Sequence, residues 1–213
     1  SPFAILLQSH EALGLPREEV EFDVGAHYVV WKKHLPRPKT TKVDKSSAEG
    51  RARGRAWAVS QVEGADHSGD AMRTHVDGSM VIEDEDGVRR VGAGAIIRIP
   101  GREDTKLAWR VTNAGSACLG ELFAITMAME WLEVSGLGRG RFVVLVCDCE
   151  SVLSKTCSPR HSSMNSIRAR RAVEQWEWGV VLAWAPSHVG LELNEVADGL
   201  AREGADDKEG EGE

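Results

Sequence analysis

The sequence predicts an α/β domain built on a mixed five-stranded sheet flanked by helices, and three observations carry that expectation. Between residues 73 and 112, three segments with strand-like composition follow one another closely, as the strands of an antiparallel meander do. From Cys118 to Val134, the residues Leu119, Leu122, Phe123, Ile125, Ala128, Met129 and Leu132 recur at three- and four-residue steps, the spacing of a helix with one face in a core. Phe142 to Val146 is apolar without alternation, which is how a strand covered on both faces reads.

Taken in order, Ser1-Pro2 followed by Phe3 to Leu13 fits a helix closed by Gly14 and Pro16. Glu21 to Trp31 could form a short strand or pack on a neighbouring domain. Residues 1–30 are therefore expected to be the remnant of an upstream domain or a connection segment. The chain does not open on methionine, and a piece cut from a larger polyprotein is expected. Residues 31–71 read as a basic linker: Pro36, Pro38, Gly50 and Gly54 interrupt a run of cations, and Ala56 to Asp70 is expected to be a loop.

The globular block is placed at residues 72–205. Arg73 to Asp77 is the first strand, Gly87 to Ile99 the second and Lys106 to Thr112 the third, with Glu83 to Asp86 as a solvated acidic hairpin tip. After the helix from Cys118 and the strand Phe142 to Val146, helical residues run from Glu150 to Lys155. A loop containing Pro159 leads to a second helix from Met164 to about Trp178. The chain then gives a short strand before Trp184, a turn at Pro186 to Gly190 and an amphipathic helix to residue 205. Residues 206–213, almost entirely acids and glycines, cannot bury a core and are expected to be a disordered acidic tail.

The formal charge of −7 argues against a nucleic-acid partner only until it is divided along the chain. Glu203 to Glu213 carries six acids against one lysine, whereas Lys32 to Arg55 carries nine cations against Asp44 and Glu49. The basic stretch can touch phosphates, with Lys32, Lys33, Arg51, Arg53 and Arg55 as candidate nucleic-acid contacts. The four cysteines, with no secretory leader, favour a reducing intracellular compartment, nuclear or cytoplasmic. No apolar run approaches the ~20 residues of a membrane span. The spacing of Cys147, Cys149, Cys157 and His161 is set aside as a zinc site, because Cys147 and Cys149 should face away from Asp148.

The chemistry rests on acids. Asp77 ends the first strand, Asp148 ends the fourth, Glu121 lies early in the long helix and Asp198 lies on the last one. If the first and fourth strands pair in parallel, Asp77 and Asp148 become neighbours, and four carboxylates in one cleft need cations to coexist. Hard Mg²⁺ or Mn²⁺ suits such an oxygen set. Asn194 and Asp198 share a helix face beside the loop histidine, His188.

The segment from Trp184 to Ala201, W-x-P-S-H-x-G-x-x-x-N-E-x-A-D-x-L-A, resembles the last motif of type I ribonuclease H domains. Val76-Asp77-Gly78-Ser79, Glu121 and Asp148 match that family's other acidic positions in order, so the resemblance spans roughly residues 73–205. It implies the ribonuclease H-like fold and hydrolysis of the RNA strand of RNA–DNA hybrids by two metal ions. Asp77 and Asp148 would bind both ions, Glu121 and Asp198 one each. His188, on a mobile loop, would assist proton transfer or product release. Asn194 would orient that loop or a water, and Ser79 would support the site. No small-molecule cofactor is implied.

Three departures matter. Cys149 follows Asp148 where a small hydroxyl residue is usual, Val76 replaces the common threonine, and the segment from Lys155 to Met164 is too short for the basic protruding helix of some members. Together with the N-terminal remnant, the missing protrusion resembles the ribonuclease H domain of a non-LTR retrotransposon polyprotein, with a reverse transcriptase domain as partner. The alternatives are a catalytically impaired scaffold domain of a reverse transcriptase and a related nuclease acting on DNA.

Overall fold

The structure, a computed structural model, describes residues 35–66, 69–82, 89–112, 114–158, 160 and 163–206. Helix α1 (Ala48–Ala65) is followed by strands β1 (Met72–Ile82), β2 (Arg89–Arg98) and β3 (Thr105–Val111). Helix α2 (Ala117–Ser135), strand β4 (Val143–Cys147), helices α3 (Glu150–Cys157) and α4 (Met164–Gln175), strand β5 (Val180–Trp184) and helix α5 (Glu192–Asp206) follow among the described residues. The strands lie in the order β3-β2-β1-β4-β5. β1, β2 and β3 are antiparallel neighbours, while β1–β4 and β4–β5 are parallel. The mixed five-stranded sheet expected from the sequence is therefore present. β1 is longer than expected because the ladder with β2 continues to Ile82 opposite Arg89.

Alternation along the strands divides the core. Val143, Leu145 and Cys147 join Leu122, Ile125, Met129, Val173 and Trp176 on the face covered by α2 to α4. Val144 and Val146 turn the other way and pack with Ala183, Ala185, Ala58 and Val62, under α1. Farther along that second face, Ile96 packs with Leu193 and Ala197 of α5. Trp176 is fully buried and donates its indole N–H to the Arg141 carbonyl at 3.0 Å, a packing role.

Residues 35–66 correct the linker expectation. Gly50, Gly54, Ala58 and Val62 form a four-residue-step stripe that is the buried side of α1. Its start is fixed by Ser47, whose side chain accepts the Gly50 amide at 3.0 Å. Asp44 in turn accepts from the Ser46 amide and hydroxyl and from the Ser47 hydroxyl, at 2.9, 2.6 and 2.7 Å. Those bonds, the Ser46 hydroxyl first, draw its carboxyl down to about 2. The composition misled because the stripe is built of small residues, which give little apolar signal, while its cations occupy the exposed side. Leu35 is buried in the main core, so the compact domain begins well before residue 72. Expectations for residues 1–34, for the acidic hairpin tip and for residues 207–213 lie outside the described residues.

Close packing of α5 on β2 positions the functional end of that helix. A Cβ at Gly94 would fall 2.4 Å from both the Ala197 carbonyl oxygen and the Ala201 amide, and one at Gly92 would fall 2.0 Å from the Ala201 carbonyl oxygen. Only glycine lets the α5 backbone lie on β2 at this distance.

Candidate active site

The β1–β4 register pairs Val76 with Cys147, so the residues that follow, Asp77 within β1 and Asp148 just past the end of β4, stand side by side. Helix α2 crosses over Gly78, where a Cβ would come 2.5 Å from the Glu121 amide and 2.9 Å from its Cγ. The missing side chain lets Glu121 descend beside Asp77. One carboxylate oxygen each from Asp77, Glu121 and Asp148 lies within 4.8 Å of the other two. Asp198 sits on α5 between Ala197 and Ala201, but its carboxylate is turned to Arg202 at 2.7 Å and groups with His188 and Glu195. The structure thus brings three of the four expected acids together and holds the fourth at the rim.

Burial and mutual repulsion strain these charges. Asp77 is pushed up to about 8, first by burial, then by Asp148, Glu121 and Asp198; the Gly78 amide, donating to its Oδ1 at 2.7 Å, opposes the rise. Glu121 rises to about 7, chiefly through burial, although it accepts the Cys147 thiol at 2.9 Å. Burial also raises Asp148, against the pull of Lys45 and His188. Closely spaced carboxyls that resist ionisation alone, offering only hard oxygen donors, fit a divalent cation such as Mg²⁺ or Mn²⁺. Protons must leave Asp77 and Glu121 before such an ion binds. Mg²⁺ is accordingly expected to raise the melting temperature more at pH 8 than at pH 5, and scanning calorimetry in Mg²⁺ against EDTA measures this. An equal shift at both values would refute protonated carboxyls as the competitor.

His188 lies in the left-handed region, with φ 56°, and its side chain is exposed at the mouth of the site. Its loop is braced. Val189 is buried, and a Cβ on Gly54 would meet Val43 at 2.6 Å and Val189 at 3.1 Å, so α1, its preceding arm and the loop interlock. Lys45 on that arm donates its ammonium to the Ser187 hydroxyl and acts electrostatically on Asp148. Sequence reasoning counted Lys45 only as one cation of a linker. Its pairing with residue 187 spans 142 positions, and no local pattern announces it.

Models of known protein families give no match to this chain, and no curated protein matches it in sequence. Solved structures do. LC11-RNase H1, isolated from compost by a metagenomic approach, superposes with a TM-score of 0.51 at 17% identity, covering 64% of this chain and 96% of that one. RNase H1 from the halophilic archaeon Halobacterium salinarum NRC-1 gives a TM-score of 0.48 at 18% identity, covering 63% and 96%. The fold is ribonuclease H-like.

Within this ribonuclease H-like domain, the other expected residues fall as follows. Ser79 pairs with Gly92 on β1, two residues beyond Asp77 and on the same side of the sheet. Asn194 is buried on α5, and its side chain lies beside the imidazole of His75. Burial drives His75 down to about 4, leaving it neutral beside the amide. Arg51 donates to the Lys45 carbonyl at 2.8 Å and thereby holds the arm, Arg53 pairs with Glu49 at 2.8 Å, and Arg55 is exposed. Lys32 and Lys33 lie outside the described residues. The indole N–H of Trp184, a residue of the C-terminal motif, donates to the Asp148 carbonyl at 2.9 Å and fixes that end of β4.

Proposed function

We propose that this chain is a metal-dependent endonuclease hydrolysing the RNA strand of RNA–DNA hybrids. The observation that supports it best is the convergence of Asp77, Glu121 and Asp148 within 4.8 Å on a ribonuclease H-like sheet, with Asp198 and His188 at its rim. Asp77, Glu121 and Asp148 would hold the divalent ions, and Asp198 would join them by turning from Arg202. Two Mg²⁺ ions, replaceable by Mn²⁺, would when bound supply nucleophile activation and charge stabilisation for an in-line displacement at phosphorus. His188, exposed at the mouth, hands a proton toward the leaving 3′ oxygen or eases product away. The exposed side of α1, with Arg53 and Arg55, follows the nucleic-acid backbone.

Lys45 serves as a positioning residue that fastens the His188 loop and balances Asp148. Lys45→Ala is expected to lower the single-turnover cleavage rate about tenfold through loss of that placement, with Lys45→Arg restoring most of it. An unchanged rate would remove Lys45 from the reading.

The connection between α3 and α4 runs only from Cys157 to Met164, too short for a basic protruding helix. That economy supports a domain working beside a reverse transcriptase in a retrotransposon polyprotein, where a neighbour supplies grip on the hybrid. Its four cysteines are free, which suits a reducing intracellular setting. Among the described residues, no helix is long and apolar enough to cross a membrane.

The test is cleavage of a labelled RNA–DNA hybrid beside matched double-stranded RNA and double-stranded DNA, in Mg²⁺ and in EDTA. Cutting confined to hybrid and to Mg²⁺ is expected. Hybrid binding without cutting would favour a scaffold domain, and equal cutting of DNA a nuclease of different substrate.

A further inference from the structure

Glu121 belongs to two groups of ligand atoms. One is the carboxylate trio. The other joins it to Cys118, one turn earlier on α2, and Cys149, directly after Asp148, again with the three donor atoms within 4.8 Å of one another. The two sulfurs stand 3.7 Å apart. Two thiolates on a tetrahedral zinc with bonds of about 2.3 Å are separated by about 3.8 Å, the edge of that tetrahedron. Both cysteines are half-exposed and unpaired, so an ion can enter and a water can complete the coordination. The Ser151 hydroxyl lies 3.2 Å from the Cys149 sulfur and 3.9 Å from that of Cys118, a polar neighbour at the opening. Cys157, part of the spacing considered from sequence, bonds instead to the Pro36 carbonyl at 3.5 Å.

We propose that Cys118, Glu121 and Cys149 form a second cation site, selective for thiophilic divalent ions such as Zn²⁺ and Cd²⁺, which claims Glu121 and so competes with the carboxylate site. Thiolates select soft or borderline ions, whereas Mg²⁺ prefers the all-oxygen group. The shared glutamate makes the two occupancies antagonistic, because the carboxylate that serves one ion is drawn from the other. Binding at the new site does not depend on the nuclease reading. Its effect on cleavage does.

The reduced full-length chain, kept in a phosphine reductant, is titrated with Cd²⁺ in Mg²⁺ buffer while thiolate-to-cadmium charge-transfer absorption is followed in the ultraviolet. Saturation at one ion per chain is expected for the wild type, for Asp77→Asn and for Cys157→Ser. Binding about tenfold weaker or lost is expected in Cys118→Ser and in Cys149→Ser. No absorption with folded wild type, or absorption persisting in both serine variants, overturns the site. Circular dichroism checks folding, and Cys118→Ser carries the test alone if Cys149→Ser does not fold. In the second arm, Zn²⁺ at fixed Mg²⁺ slows hybrid cleavage, and Cys118→Ser needs about tenfold more Zn²⁺ for the same fractional loss. Binding with no slowing overturns the antagonism. Absence of cleavage in Mg²⁺ alone would count against the nuclease and leave the Cd²⁺ result standing.

Discussion

Asp77→Asn is expected to abolish cleavage while making the metal-free protein more stable. Asparagine keeps the side-chain oxygen that accepts the Gly78 amide, but removes the charge that both ions would share. Loss of that ligand should cost several kcal/mol of transition-state stabilisation, on the order of a thousandfold in rate or more. Stability moves the other way. The folded-state value for Asp77, about 8, lies above the 3.8 of an unperturbed aspartate, so the folded wild type holds a proton that the unfolded chain has released. The contribution of Asp77 to stability is therefore greatest below pH 4 and drains away as pH climbs toward 8. The asparagine variant escapes that loss. In EDTA, its melting temperature should match the wild type near pH 4 and exceed it by about 3–5 °C at pH 8. A variant less stable than the wild type at pH 8 would show that Asp77 is not a strained anion. Full cleavage by the variant would remove it from the metal site.

Gly94→Ala is expected to destabilise the fold by about 3 kcal/mol, a large effect for one methyl group. Its Cβ has nowhere to go, because the atoms it meets at 2.4 Å are backbone atoms of α5 that cannot rotate aside. The helix must lift from the sheet. Asp198, one residue beyond Ala197, then moves away from Asp77, which faces Gly94 across the β1–β2 ladder. Cleavage by the folded fraction should fall with stability. Gly64→Ala is the matched control: nothing lies within 4 Å of that position on α1, and alanine there should add about 0.5–1 kcal/mol by favouring the helix. Urea unfolding of both variants tests the pair. A Gly94→Ala protein as stable as the wild type would mean that α5 does not approach β2 so closely.

The residues differ in how much of this was legible. Asp77, Glu121, Asp148 and Asp198 could be picked out because they match, in order, the acidic positions of the ribonuclease H family that the C-terminal motif resembles. The segment Phe142–Val146 announced a doubly covered strand, and parallel pairing of β1 and β4 follows from placing it beside β1. Helix α1 was not legible. Its buried side is two glycines, an alanine and a valine, and its arginines lie where a solvated linker would also carry them. Asn194 was legible as a residue of the motif but not as a partner of His75, because the two meet only when α5 lies on the sheet.

The sequence by itself determined the order of strands and helices and the sheet that holds the acids, and its resemblance to a family motif named the candidate acids, because local periodicity and a linear motif are properties of neighbouring residues. Tertiary structure alone decided that Lys45 reaches Ser187, that α1 closes the second face of the sheet, that Asp198 rests on Arg202 and that Glu121 stands between a carboxylate group and a thiol group. Each of those depends on packing distances between segments far apart in the chain. Such distances are set by which positions lack a Cβ and which side chains are buried together, and no window of consecutive residues records that.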